Sequence, residues 1–205
     1  MAEPQALLLV EGPDDEQVVF QICNRAGINN RALFRVGGKN GYESLREILR
    51  TEVKLRRVPT LGVMVDADTS ATRRWHSLRE ALIEAGCDDL PEQPVPGGLI
   101  LEGRPRLGIW LMPDNLAGGM IEDFLRDLIE AGDPLLPRAQ AAVGNIPMDE
   151  RRFSPAVLSK AELHTWLAWQ AEPGSSLGLA ITRKYLDLDR GQGGAFVRWL
   201  TGLFR

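Results

Sequence analysis

Short apolar runs alternate with amphipathic segments along the first two thirds of the chain. The runs occupy residues 7–10, 33–36, 60–65, 98–101 and 107–112. Short apolar runs of this kind are typical of strands in a buried parallel sheet, and the runs at 7–10 and 60–65 are the most continuous. The turn-forming sequence EGRP at 102–105 is compatible with a hairpin between the last two runs.

The segments between the runs have the spacing of amphipathic helices. Apolar positions recur every three or four residues after Pro13, after Gly41, through Trp75, Leu78 and Leu82, and from 119 to 131. This alternation predicts an α/β fold with a mainly parallel four-stranded sheet that is flanked by helices.

The last third of the chain has a helical pattern. The sequence SKAE at 159–162 is a capping box and predicts a helix start. Residues 132–157, rich in Gly, Pro and Ala, are expected to form a linker. We therefore predict an α/β domain at 1–131 and a helical C-terminal extension at 132–205 that packs on it.

Composition limits the class of protein. The 205-residue chain is 44% hydrophobic and 25% charged, the balance of a soluble globular protein. Its apolar runs are too short to cross a bilayer or to act as a secretory signal, so no membrane association is expected. Cys23 and Cys87 are the two cysteines, which excludes a disulfide scaffold and favours the cytoplasm. Two histidines without ligand spacing exclude structural zinc.

Carboxylates follow two of the predicted strands. Glu11 ends the first strand, with Asp15 one helical turn further on, and Asp66 and Asp68 end the third. Ligands of parallel α/β sheets bind beyond the carboxyl ends of the strands, so neighbouring strands would bring these side chains together. Such a cluster cannot stay ionised without a cation, and hard oxygen ligands favour Mg²⁺ or Mn²⁺. Taken singly, an acidic residue at a strand end is more often a helix cap or a solvated loop charge.

Together, the two strand ends are more specific than either alone. The sequences LLVEGPDD at 8–15 and VMVDAD at 63–68 resemble, in that order, the TOPRIM domain of topoisomerases, primases and OLD-type nucleases. VGGKN at 36–40 is similar to the glycine-bearing end of the second TOPRIM strand. WLMPDN at 110–115 and MIEDFL at 120–125 look like a stand-alone TOPRIM-related family.

The resemblance implies a TOPRIM-like fold over roughly 5–130 and roles for particular residues. It implies a metal ion held by Glu11, Asp66 and Asp68, which act in catalysis, and a second ion near Asp15 and Glu122. OLD-type nucleases often have a serine two residues before the position of Glu122, where this chain has Met120.

OLD-type enzymes also place a lysine downstream of the acidic cluster. Lys160 is the counterpart here and would neutralise the pentacovalent transition state, although a solvated lysine in a first helical turn is an equally good interpretation.

Three basic residues are candidates for substrate binding. Arg73 and Arg74 directly follow the DAD turn, and Lys39 lies in a glycine loop at the same sheet edge. The implied partner is a nucleic acid, either DNA or RNA, in RNA processing or in phage defence beside a separately encoded ATPase. The sequence leaves a homodimer open.

Two other functions are compatible with parts of the pattern. VDADT at 65–69 also fits haloacid-dehalogenase-type phosphotransferases, which place this strand first in the domain, and that assignment leaves Glu11 unexplained. The second is a non-catalytic TOPRIM module that binds nucleic acid or a protein such as an ATPase. Such a module has no need of all four carboxylates, so we expect an enzyme that hydrolyses phosphodiesters.

Overall fold

A computed structural model describes residues 6–38 and 40–205. The strands are β1 (Ala6–Val10), β2 (Phe34–Gly38), β3 (Thr60–Asp66), β4 (Leu99–Leu101) and β5 (Arg106–Met112). The α-helices are α1 (Pro13–Arg25), α2 (Asn30–Leu33), α3 (Tyr42–Leu55), α4 (Ala71–Glu84), α5 (Ile121–Arg126), α6 (Leu136–Gly144), α7 (Leu158–Ala168), α8 (Leu177–Thr182) and α9 (Gly193–Phe204). The described residues include no helix that is long and apolar enough to cross a membrane.

These strands form one mixed sheet in the order β2-β1-β3-β5-β4. β1 pairs in parallel with both β2 and β3, and β3 pairs in parallel with β5. β4 pairs antiparallel with β5. The α/β class and the mainly parallel sheet are confirmed, but the prediction of four strands was wrong. The connection between β4 and β5 is too short for the crossover that a parallel pair requires, so β4 folds back as a fifth, antiparallel strand.

The register of β1 and β3 places their carboxyl ends side by side. Leu9 of β1 lies opposite Val63 of β3. Glu11 therefore leaves the sheet next to the point where Asp66 ends its strand. Both strands are almost fully buried, which explains their unbroken apolar runs.

Each face of the sheet is covered by a separate hydrophobic cluster. The cluster on one face includes Leu9 and Val63 together with side chains of α3 and α4. The cluster on the other face includes Leu8, Met64 and Trp110 together with side chains of α1, α5 and the C-terminal helices. The C-terminal helices therefore bury apolar side chains in the same core as the sheet.

Two expectations for the C-terminal part were wrong. The segment expected to be a linker contains α6 and a turn of 3-10 helix at Pro155–Val157. Asp133 Oδ1 accepts hydrogen bonds from the N–H groups of Leu135 and Leu136 and so stabilises the turn that leads into α6. Ser159 does not cap a helix, because α7 begins at Leu158 and the Ser159 hydroxyl lies against a carboxylate of α5.

Candidate metal centre

Asp66 joins three segments of the chain at the carboxyl edge of the sheet. Its N–H donates to Glu11 Oε1 over 2.8 Å. Its own Oδ1 accepts from the N–H of Ile121, the first residue of α5, over 2.9 Å. The end of β1, the end of β3 and the start of α5 are thus held together by the side chains of two acidic residues.

Asp15 and Glu122 are the most deeply buried acidic residues near this point. Asp15 Oδ2 accepts from the N–H of Gly12 over 3.0 Å, which fixes the carboxylate at the first turn of α1. The side chain of Glu122 is 4% exposed, and its Oε1 lies 2.9 Å from Lys160 Nζ. Lys160 is therefore brought to the acidic cluster from α7, 38 positions later in the sequence than Glu122.

Burial and mutual repulsion raise the pKa values of three carboxyl groups. The pKa of Asp66 rises to about 8, mainly because it is buried and further because of the charges of Glu11, Asp15 and Glu122. The pKa of Asp15 rises to about 6, again chiefly by burial and then by the charge of Glu11. Burial also raises the pKa of Glu11. These groups are close enough to repel one another, and a nearby cation would favour their ionised forms.

Asp68 lies at the exposed rim of the cluster. Its backbone has a φ of 51°, the left-handed region that Asp tolerates better than most residues, and its N–H donates to Gly119 O over 2.9 Å. Its carboxylate forms an ion pair with Arg74. The Arg74 guanidinium lies 3.7 Å from the centre of the Tyr42 ring, so Asp68, Arg74 and Tyr42 form a continuous contact.

The donor set has the chemistry of a site for a hard divalent cation. The carboxylates of Glu11, Asp15, Asp66 and Glu122 meet in a poorly hydrated place, with Lys160 as the cation that contacts one of them. Within 6–38 and 40–205, however, no three Asp, Glu, His or Cys side chains are arranged to hold a metal ion. Glu11, Asp15 and Asp66 each have one oxygen that accepts from a backbone N–H, and Glu122 has one oxygen against Lys160, which leaves the second oxygen of each carboxylate without a hydrogen bond to those groups.

The structure brings most of the predicted site residues to one edge of the sheet. Glu11, Asp15, Asp66 and Glu122 form the buried part, and Asp68, Arg74 and Lys160 lie around it. Arg73 is exposed, and its guanidinium donates to the Thr69 hydroxyl on the same loop. Lys39 lies outside the described residues.

Sequence reasoning missed the parts played by Tyr42 and Gly118. Tyr42 follows a glycine loop, and nothing in the local sequence indicates that its ring meets an arginine of the next helix. A Cβ atom on Gly118 would lie 2.8 Å from the carbonyl carbon of Thr69, so only glycine lets the two loops approach this closely. The Gly-Gly pair before α5 is the signal that could have shown this close approach.

Comparison with known proteins identifies the family of the chain. Residues 5–205 match the family model described as "Protein of unknown function (DUF3226)". The chain belongs to the DUF3226 family. No curated protein matches the DUF3226 chain.

One solved structure matches the chain over nearly its whole length. The DUF3226 chain is similar to the C-terminal region of the OLD protein of Xanthomonas campestris pv. campestris, with 16% sequence identity. The match covers 97% of this chain and 85% of that chain, with a TM-score of 0.38. At this distance the match carries no assignment of fold or activity to the DUF3226 chain.

Proposed function

We propose that this DUF3226 chain is a TOPRIM-like nuclease that hydrolyses phosphodiesters of nucleic acid with Mg²⁺ or Mn²⁺. The observation that supports this proposal is the hydrogen bond between Asp66 N–H and Glu11, which joins the carboxyl ends of two adjacent parallel strands. Acidic residues at these strand ends are what the TOPRIM resemblance of the sequence requires. Asp15 and Glu122 extend the same cluster.

The residues that would hold metal are Glu11, Asp66 and Asp68, with Asp15 and Glu122 for a second ion. When bound, such a cation would supply an activated water and would neutralise charge on the phosphodiester.

The chain's own groups have separate tasks. The N–H groups of Asp66 and Ile121 orient the Glu11 and Asp66 carboxylates. Lys160 lies in the first turn of α7, and its side chain is half-exposed. Its ammonium group would place positive charge beside the phosphoryl oxygens, where negative charge develops during hydrolysis.

The alternative is a non-catalytic module that binds nucleic acid or a protein such as a separately encoded ATPase. The observation that favours it is that Lys160 and Arg74 already neutralise Glu122 and Asp68. Under this alternative the two cations would be permanent partners of the carboxylates, and added metal would find no site.

Calorimetric titration of Mn²⁺ distinguishes these functions. We expect the wild type to bind Mn²⁺, and Glu11→Gln and Asp68→Asn to lose the binding heat, because each replacement removes a charged oxygen ligand while keeping side-chain shape. Asp89→Asn is the matched control, since Asp89 is exposed and lies beyond the far end of α4.

Cleavage is measured in the same buffers on end-labelled DNA and RNA, with EDTA as the blank. Manganese-dependent cleavage by the wild type and by Asp89→Asn, lost in the two site variants, supports the nuclease. Absence of both binding and cleavage at millimolar Mn²⁺ would refute it in favour of the binding module.

A further inference from the structure

An open cavity of about 240 Å³ lies between the N-terminal parts of α3 and α4, next to the acidic cluster. Its wall contains the loop from Ala67 to Ser70, together with Tyr42 and Ser77. Arg73 and Arg74 supply two guanidinium groups to this wall. The cavity is large enough for a phosphate group, and its arginines and hydroxyl groups are hydrogen-bond donors suited to phosphate oxygens.

The two arginines of this cavity are held differently. The side chain of Arg74 is only 11% exposed, because it lies over the Tyr42 ring and pairs with Asp68. The Tyr42 hydroxyl in turn donates to Ser77 Oγ over 2.8 Å, which fixes the ring. Arg74 is thus held by protein groups, whereas Arg73 is exposed and its guanidinium donates to the Thr69 hydroxyl and forms no ion pair with a described carboxylate.

The N-terminus of helix α4 lies beside the cavity. The helix is 14 residues long, is capped by Ser70, and has no acidic residue in its first turn. The partial positive charge at its N-terminus is therefore not offset within the helix. Glu43 also lines the cavity, but its carboxylate lies beside Arg46 on α3.

A second cavity on the other side of Asp68 has the opposite character. It measures about 560 Å³ and shares Asp68 and Thr69 with the first. Its wall contains Asp123 and Glu162, and its cation is Arg126, which is paired with both. Of the two cavities that meet at the DAD turn, the one between α3 and α4 is therefore the one that suits an anion.

We propose that the cavity between α3 and α4 binds a phosphate of the polynucleotide substrate next to the phosphate that is cleaved. Arg73 contacts that phosphate, and Arg74 is a positioning residue that holds Asp68. The inference rests on the proposed function for the identity of the substrate. It adds the direction in which the polynucleotide leaves the acidic cluster, which is across Asp68 and Thr69 toward α4.

The test is binding of a fluorescein-labelled oligothymidylate and the matched oligouridylate, measured by fluorescence anisotropy in EDTA over a series of salt concentrations. Arg73→Ala is expected to raise Kd several-fold at low salt. It is also expected to reduce the slope of log Kd against log salt concentration by about 0.7, the contribution of one phosphate contact on a single strand. Arg73→Glu should weaken binding further.

Arg57→Ala is the matched control, because Arg57 is an exposed arginine near the amino end of β3, at the opposite edge of the sheet. It should bind both oligonucleotides with the wild-type Kd and slope. Equal Kd values and slopes for Arg73→Ala and Arg57→Ala would overturn the phosphate site, as would a wild type that binds neither oligonucleotide.

The binding test and the cleavage assay fail independently. If cleavage depends on manganese but oligonucleotide binding is unchanged by Arg73→Ala, the nuclease proposal is supported and the phosphate site is refuted. Arg73-dependent binding without cleavage in any metal supports the phosphate site and refutes the nuclease.

Discussion

At the scale of single residues, the partner of each carboxylate decides what that carboxylate can do. Asp66 accepts from a helix N-terminus, Asp15 accepts from the N–H that precedes α1, and Glu122 faces an ammonium group. These partners keep several acidic groups buried in one place although burial disfavours their charged forms. The pair of Glu122 and Lys160 is the one that mutation can separate most cleanly.

Replacing Lys160 by Met should destabilise the metal-free protein by about 1–3 kcal/mol, because it leaves the nearly buried Glu122 carboxylate without its counter-ion. The half-exposed position of the lysine keeps the effect below that of a fully buried pair. The Glu122→Gln replacement in the same chain should recover most of the loss. Urea unfolding of the two single variants and the double variant in EDTA measures the coupling.

Lys184→Met is the matched control, since Lys184 is an exposed lysine just after α8 that forms no ion pair with a described carboxylate. Additive effects of Lys160→Met and Glu122→Gln would show that the ion pair contributes nothing to stability.

At the scale of elements, glycines in β3 and β5 let α9 pack closely on the sheet. A Cβ atom on Gly108 of β5 would lie 2.2 Å from Leu203 Cδ2, and one on Gly62 of β3 would lie 2.9 Å from Phe204 Cζ. The last turn of α9 therefore packs directly on the backbone of β3 and β5. This close packing connects the end of the chain to the strand that carries Asp66.

Gly108→Ala should lower the free energy of unfolding by about 1–3 kcal/mol by overpacking. Leu203→Ala should lower it by about 2–5 kcal/mol by leaving a cavity. The double variant should lose less than the sum, because the alanine methyl group at 108 enters the space that Leu203 leaves. Urea unfolding of the three variants provides the values.

Gly144→Ala serves as the control for a glycine replacement, because a Cβ atom there meets nothing within 4 Å. It should leave stability unchanged or raise it slightly. If the decreases in the free energy of unfolding for Gly108→Ala and Leu203→Ala are additive in the double variant, direct packing between the two residues is contradicted.

At the scale of the whole molecule, the buried acidic cluster makes stability depend on pH. The pKa of Asp66 is raised from 3.8 to about 8 in the folded protein, so the native state keeps a proton that the unfolded chain releases near pH 4. Raising the pH from 4 to 8 should therefore lower the free energy of unfolding in EDTA, by an amount on the order of a few kcal/mol.

Asp66→Asn should remove much of this decline, because asparagine stays neutral and its Oδ1 can still accept from the N–H of Ile121. Thermal unfolding of the wild type, Asp66→Asn and Asp89→Asn across this pH range measures the effect. If Asp66→Asn and Asp89→Asn follow the same curve, Asp66 does not carry the pH dependence.

The sequence by itself determined the elements whose pattern is set by burial. β1 and β3 are buried on both faces, so their apolar runs identify them, and the acidic residues that follow them mark the strand ends. It also placed β4 and β5 and indicated a hairpin between them, but it did not predict that both strands belong to one five-stranded sheet. The start of α6 was missed because its N-cap position is Leu135, which has no capping side chain, and the turn is held instead by Asp133 two residues earlier.

Only the tertiary structure decided which side chains meet. Glu11 and Asp66 are 55 positions apart and Glu122 and Lys160 are 38 apart, and such contacts depend on strand order and on how helices dock. The meeting of Tyr42 with Arg74 and of Gly108 with Leu203 has no local signal for the same reason. Local sequence sets local conformation and burial, whereas contacts between distant residues are set by packing of the whole chain.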